Sequence, residues 1–185
     1  RQVPFAKGGA FSPFYSDVPL TVSWDSARST FWGFTGLKHR PSLKPASFEF
    51  YFRPGLTWPL RTQSGLGMRA LPAKCVFSHR GPSVFVDGDS PALLINLLAI
   101  TASSSFRFLC DIQTAFGSYE VGVIQRAPVP HLKPDDKRCL SSIACRAWSL
   151  KRRLDTRTEA SHAFNLPALL QVTGETLAAR AVAWV

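Results

Sequence analysis

The sequence lacks long apolar runs, and this limits the classes of protein to which it can belong. Its longest apolar stretch, residues 93–100, is interrupted by Asn96 and is far shorter than the roughly 20 residues of a membrane span. The first residues also lack the apolar stretch of a secretory leader. We therefore expect a globular protein with no membrane partner. Its content of 45% hydrophobic and 18% charged residues is typical of that class.

Paired cysteines are missing as well. The four cysteines stand at positions 75, 110, 139 and 145, without a Cys-x-x-Cys pair, and the four histidines are equally scattered. Zinc and redox sites need ligands at close and regular spacing, so the sequence predicts no metal site. We expect buried, reduced thiols in a cytoplasmic protein.

Acidic residues are scarce: 12 Asp and Glu stand against 22 Lys and Arg, which gives a net charge of +10. The excess is concentrated, because residues 28–80 contain nine basic residues and a single acid, Glu49, and so carry +8. Proteins that neutralise nucleic-acid phosphates need such a concentration, since each contact releases condensed counterions. The charge indicates a nucleic-acid partner. A solvated basic face, or a surface that meets an acidic domain, is the alternative interpretation.

The sequence shows no pattern of catalytic residues. Ser, His and Asp occur, but their spacing does not indicate a nucleophilic triad. Asp87 and Asp89 are interpreted as turn and cap residues, and Asp135 with Asp136 as the start of a helix rather than a nuclease metal site. We expect a chain that binds a partner and is not catalytic alone.

The first part of the chain is predicted to be mostly β. Residues 1–18 are typical of an ordered loop rich in Gly and Pro, and residues 25–46 of a long basic connection. Ser90 as N-cap and Pro91 at the first position predict a helix, and a second one follows at 106–114. Short strands are predicted at 19–24, 48–52, 68–71, 75–78, 84–86 and 119–125.

The part after residue 130 is predicted to be helical. Asp135 or Asp136 can begin a helix that extends to about Thr156, with one apolar seam at positions 140, 143, 147, 150 and 154. A last helix is predicted at about 174–185. The fold class is therefore α+β: a mixed, mostly β module at 1–130, followed by a helical spacer or docking segment at 131–185. Both ends of the chain are interpreted as cuts through a longer protein.

Residues 53–62 carry the strongest binding signal. A stiff Pro54–Gly55 turn is expected to present two arginines, two threonines and Trp58. Arginine suits guanine edges and phosphates, threonine suits phosphates, and tryptophan stacks on exposed bases. The other interpretation places Trp58 and Leu60 in the core. The candidate DNA-binding residues are Lys7, Lys38, Arg40, Lys44, Arg53, Thr57, Trp58, Arg61, Thr62, Arg69, His79 and Arg80.

Four ordered motifs within residues 1–130 resemble those of one family. They lie at 3–15 (VPFAKGG and SPFY), 51–58 (YFRPGLTW), 77–82 (FSHRGP) and 118–126 (SYEVGVIQR). Together they resemble the adenine-specific DNA methyltransferases of BREX-type phage-defence systems, to which fused type II restriction-methyltransferases are similar. The resemblance implies a region that follows the catalytic domain and recognises the DNA target.

Neither of the two loops that such an enzyme uses for catalysis is found in the sequence. These are a Gly-rich turn that holds the methyl donor and an Asn/Asp-Pro-Pro-aromatic loop that grips the flipped base. Phe14 stands where the second proline of that loop must be. The resemblance implies two partners, double-stranded DNA and the catalytic domain of the same protein, and makes S-adenosylmethionine a cofactor of the whole enzyme only. Two alternatives stay open: a module that docks a partner subunit through the 135–156 helix, and a module that binds RNA or single strands.

Overall fold

The computed structural model describes residues 1–24, 47–114 and 116–184. It contains six short strands and five α-helices within these residues, so the predicted α+β class is confirmed. The strands are β1 (Gln2–Ala6), β2 (Thr21–Ser23), β3 (Gly55–Thr57), β4 (Arg69–Leu71), β5 (Val76–Phe77) and β6 (Ser83–Val84). The helices are α1 (Pro91–Ala102), α2 (Ser104–Asp111), α3 (Val121–Arg126), α4 (Pro134–Asp155) and α5 (Leu177–Trp184).

The strands form two small sheets. In the first, with the order β2-β1-β5, β1 pairs antiparallel with β2 and parallel with β5. In the second, with the order β4-β3-β6, β3 pairs antiparallel with both neighbours. All three residues of β3 are buried, as expected for the central strand of a sheet that packs against helices.

The main core lies between the second sheet and helices α1 to α3. Trp58 and Met68 pack there against Leu98 of α1 and Cys110 of α2. The start of α1 follows the prediction, because Ser90 Oγ accepts a hydrogen bond from the Leu93 amide (3.4 Å) and Pro91 occupies the first turn. This core fixes the loop that leaves β3, which carries part of the candidate site.

Among the described residues, no single helix is long and apolar enough to cross a membrane. Helices α1 and α2 reach such a length only as a pair, and they bend by 64° at the break between them. Leu98 and Phe106 of this pair are buried in the core. Packing in the core therefore explains why α1 and α2 are apolar.

The buried thiols were predicted in part. Cys75 and Cys110 are buried, and desolvation raises the pKa of each thiol to about 11, so both stay protonated at neutral pH. Cys139 and Cys145, both on α4, are exposed instead.

The strand predicted at 48–52 is wrong. Residues Phe48–Phe50 form a single 3-10 turn, and Phe52 has a positive φ of 68°. The five residues are mostly aromatic, and the turn sends their rings to different neighbours: Tyr51 contacts Phe77 (5.0 Å between centroids) and Phe50 stacks on Phe85 (5.2 Å). Aromatic packing overrides the strand propensity of the segment.

The strand predicted at 119–125 is also wrong, since α3 lies there. Tyr119, Val123 and Ala127 are buried at a spacing of four, which is the helical repeat. The β-branched valines and Ile124 favoured a strand by composition, whereas burial follows the other period. At the N-terminus, part of the predicted loop at 1–18 is strand β1.

Helix α4 matches its predicted limits, but the predicted seam describes its packing only in part, since Leu140 and Ala147 are half-buried and the other three positions are exposed. Ile143, Leu150 and Leu154 are 58%, 52% and 51% exposed, and the buried residue of α4 is Ala144. The helix lies on α1 partly through polar contacts, because Asn96 Nδ2 donates to Ser141 Oγ (3.0 Å). Apolar spacing alone therefore misplaces part of the packed face when small and polar residues make the contact.

Candidate nucleic-acid interface

Three of the candidate residues lie outside the described part of the chain: Lys38, Arg40 and Lys44. Two others, Thr57 and Trp58, are in the core at 3% and 1% exposure. The Thr57 hydroxyl donates to the Pro82 carbonyl (2.9 Å), and the Trp58 indole N–H donates to the Tyr119 carbonyl (2.8 Å). Both side chains are engaged internally, which agrees with the alternative interpretation of Trp58 as a core residue.

Arg69 serves as an internal brace. Its side chain is buried, and desolvation lowers the pKa of its guanidinium. The guanidinium donates to the carbonyls of Ala10 (2.9 Å) and Gly8. Arg69 therefore holds the Lys7-Gly8-Gly9 turn against β4, and its donors are used within the fold.

Arg53 is engaged internally as well. It forms an ion pair with Asp89 (2.7 Å), donates to the Val86 carbonyl (3.1 Å) and lies over the rings of Phe50 and Phe85. The expected Pro-Gly turn is absent, because Gly55 belongs to β3. A Cβ at Gly55 would lie 2.7 Å from the Val84 carbonyl oxygen, so this glycine permits a close approach of strands and not a positive φ.

We expect Arg53→Ala to lower the free energy of unfolding by about 1–2 kcal/mol. The loss comes from one partly buried ion pair and the hydrogen bond to the Val86 carbonyl. A double-mutant cycle with Asp89→Ala, measured by urea unfolding, gives the coupling energy between the two side chains, which should favour the folded state. An unchanged free energy of unfolding in Arg53→Ala would contradict this internal role.

Four of the candidate residues converge on one open cavity of about 350 Å³: Lys7, Arg61, His79 and Arg80. All four are exposed, and the remaining lining residues are Gly9, Pro59 and Leu60. Of the residues with a described position, none that lines this cavity is acidic. We call this feature the cationic cleft. With three permanent cations and no compensating charge in its wall, it attracts anions.

The three segments that form the cationic cleft are joined through their backbones. The Leu60 amide donates to the Arg80 carbonyl (3.1 Å), and the Ser78 amide donates to the Ala6 carbonyl (3.0 Å). Gly8, at φ +88°, lies so close that a Cβ there would be 2.4 Å from the Arg80 carbonyl oxygen. The positions of the three cations are thus set by a rigid frame, although their side chains reach solvent.

The turn that follows α2 is paired with the segment that carries Arg61 of the cationic cleft. Residues Arg61 and Ser118 form an isolated antiparallel bridge, and the Thr62 amide donates to the Gly117 carbonyl (3.0 Å). Thr62 Oγ1 accepts from the Ser64 amide (3.0 Å) and so stabilises its own loop. Glu120 follows this turn, and its carboxylate accepts a hydrogen bond from Ser118 Oγ (2.8 Å).

A neighbouring cavity of about 350 Å³ lies on the other side of the Lys7-Gly8-Gly9 turn. It shares Lys7 and Gly9 with the cationic cleft and is also lined by Arg69, whose guanidinium is engaged internally, but its wall includes Asp17 and many apolar residues. This chemistry suits an anion less well. The grouping of Lys7, Arg61, His79 and Arg80 therefore remains the best candidate for a functional site.

No family model matches the sequence. Two adenine-specific methyltransferases are similar to it. The methyltransferase BrxX of Escherichia coli O9:H4 (strain HS) is 22% identical over 126 residues, and the methyltransferase PglX of Lacticaseibacillus casei (strain Zhang) is 25% identical over 130 residues. Each match covers 68% of this chain and 10% of the relative. The chain is distantly related to adenine-specific methyltransferases and corresponds to about a tenth of their length, which supports the resemblance seen in the motifs.

Proposed function

We propose that this chain is the target-recognition segment of an adenine-specific DNA methyltransferase of a restriction-modification or phage-defence system. In this proposal it binds double-stranded DNA through the cationic cleft. The observation that carries the proposal is the convergence of Lys7, Arg61, His79 and Arg80 on one cavity. The distant relationship to BrxX and PglX supplies the enzymatic context.

The chemistry of the cationic cleft suits phosphate. Guanidinium groups bind phosphate oxygens through paired donors, and lysine adds a point charge. Because the frame of the cleft is fixed by backbone contacts, little further backbone ordering is needed on binding. Contacts of this kind position a protein on the duplex and do not by themselves read its sequence. The cleft therefore supplies affinity and register.

The chemical step belongs to another part of the enzyme in this proposal. S-adenosylmethionine and the flipped adenine would be held by the catalytic domain, which is the second partner of this chain, in a cytoplasmic protein. The motivation is that neither of the loops for methyl donor and base occurs in the sequence. Saturable binding of S-adenosylmethionine to this chain in a calorimetric titration would contradict this assignment.

The proposal is tested by the affinity of the 185-residue chain for a labelled mixed-sequence duplex at increasing salt. If three phosphates are contacted, the affinity should fall by about ten-fold or more when the salt is raised from roughly 50 to 200 mM. An unlabelled duplex should compete better than the matching single strand. Affinity that does not depend on salt, or a clear preference for single strands or RNA, would contradict the proposal.

A second candidate function is supported by the exposed side of α4. Ile143, Leu150 and Leu154 are each more than half exposed on this helix. Exposed apolar side chains at helical spacing are typical of surfaces that dock a partner helix. Binding of a partner protein that depends neither on salt nor on DNA, and that is lost in Leu150→Asp, would favour this function over DNA recognition.

A further inference from the structure

We infer that Phe116 contacts the bases of duplex DNA beside the cationic cleft, where its ring stacks on a base or inserts into a base step. The inference rests on the proposed function and adds a base-contacting residue to it. Phe116 was not among the candidate residues of the sequence. Its position in the fold, and not its sequence context, identifies it.

The conformation of Phe116 is unusual for an aromatic residue. Its side chain is fully exposed, and its φ of 54° lies in the left-handed region, which L residues rarely adopt. Gly117 continues the turn at φ 67°. Packing does not explain an exposed ring on a strained backbone, and such combinations cluster at functional sites.

The turn that carries Phe116 is fixed to the segment that carries Arg61. The Thr62 amide donates to the Gly117 carbonyl (3.0 Å), and the Tyr119 amide donates to the Leu60 carbonyl (2.7 Å). The two segments approach so closely at Gly117 that a Cβ there would be 2.5 Å from the Thr62 carbonyl oxygen. Phe116 is thus held next to the segment that carries Arg61, one of the cations of the cationic cleft.

This placement joins two kinds of DNA contact. Cations hold the phosphates, while an apolar ring next to them has access to the bases of the same strand. Proteins that deform a duplex insert apolar side chains between base steps, next to basic residues that hold the backbone. The charge of the cationic cleft is the reason to choose DNA as the occupant of this exposed ring.

The test compares Phe116→Ala with Phe116→Trp and with Phe108→Ala in duplex-binding titrations. Phe108 is the matched control, because it is the other strongly exposed phenylalanine of the described residues and lies on α2. Phe116→Ala should weaken binding about five-fold or more, since stacking on one base is lost. Its salt dependence should stay unchanged, because no phosphate contact is removed. Phe116→Trp should keep the affinity, and Phe108→Ala should have no effect.

The outcomes separate this inference from the proposed function. Duplex binding that persists unchanged in Phe116→Ala overturns the inference and leaves the proposed function standing. Equal losses in Phe116→Ala and Phe108→Ala also overturn it, because they indicate a general apolar patch. If the unaltered chain does not bind duplex DNA, the proposed function itself fails. Melting temperatures equal to that of the unaltered chain show that each variant is folded.

Discussion

Trp58→Ala should lower the free energy of unfolding by about 3–5 kcal/mol, the largest effect on stability that we expect in this chain. Trp58 is 1% exposed and packs in the main core with Leu56, Met68 and Leu98. Its removal leaves a large cavity and also leaves the Tyr119 carbonyl without the indole N–H. Urea unfolding followed by circular dichroism measures the loss.

Trp58→Phe is the control for this prediction. It keeps most of the apolar volume and removes the hydrogen bond to the Tyr119 carbonyl, so it should cost far less, about 1–2 kcal/mol. If Trp58→Ala were nearly neutral for stability but reduced DNA affinity, Trp58 would be a base-stacking residue and not a core residue.

Features set by local sequence were predicted well. Ser90 and Pro91 mark the start of α1 because a cap and a first-turn proline act within one helical turn. The limits of α4 follow from Pro134 and from Asp135 with Asp136 in its first turn in the same way. Ser103 caps α2 by accepting a hydrogen bond from the Phe106 amide (3.2 Å), although the sequence predicted this helix only from residue 106. Each of these signals lies within a few residues of its effect.

Features set by distant contacts were missed. Arg53 resembles a DNA-binding residue in the sequence, but its partner Asp89 stands 36 positions further along the chain. The guanidinium of Arg69 likewise donates to carbonyls 61 and 59 positions away, at Gly8 and Ala10. A sequence pattern shows that an arginine is present, and it cannot show whether its donors are already used.

The cationic cleft could be predicted from the sequence only in part. Lys7, Arg61, His79 and Arg80 were all chosen from the sequence, but as members of a longer set without a common position. Their grouping depends on the close approach of Gly8 to Arg80 and on the pairing of Leu60 with Arg80. The Lys7-Gly8-Gly9 turn permits this approach, because Gly8 has no Cβ.

The triple substitution of Lys7, Arg61 and Arg80 by alanine should have the largest effect on DNA binding. Three phosphate contacts would be lost, so affinity at about 0.1 M salt should fall by roughly a hundred-fold or more. The slope of log affinity against log salt should become shallower by about 2 to 3. Stability should change little, because the three side chains are exposed. Titration of a labelled duplex at several salt concentrations measures both quantities.

The matched control removes three other exposed cations, Arg126, Lys133 and Lys137, which do not line the cationic cleft. Both triple variants have the same net charge, so a general electrostatic attraction would weaken equally in the two. A specific cleft predicts a large loss in the first variant and a small loss in the control. Equal losses would mean that DNA responds to the overall charge of +10 and that the cationic cleft has no special role. If only the first variant shows the large loss, the slopes of the three single substitutions show which cation contacts a phosphate, since each contact contributes about 0.9 to the slope.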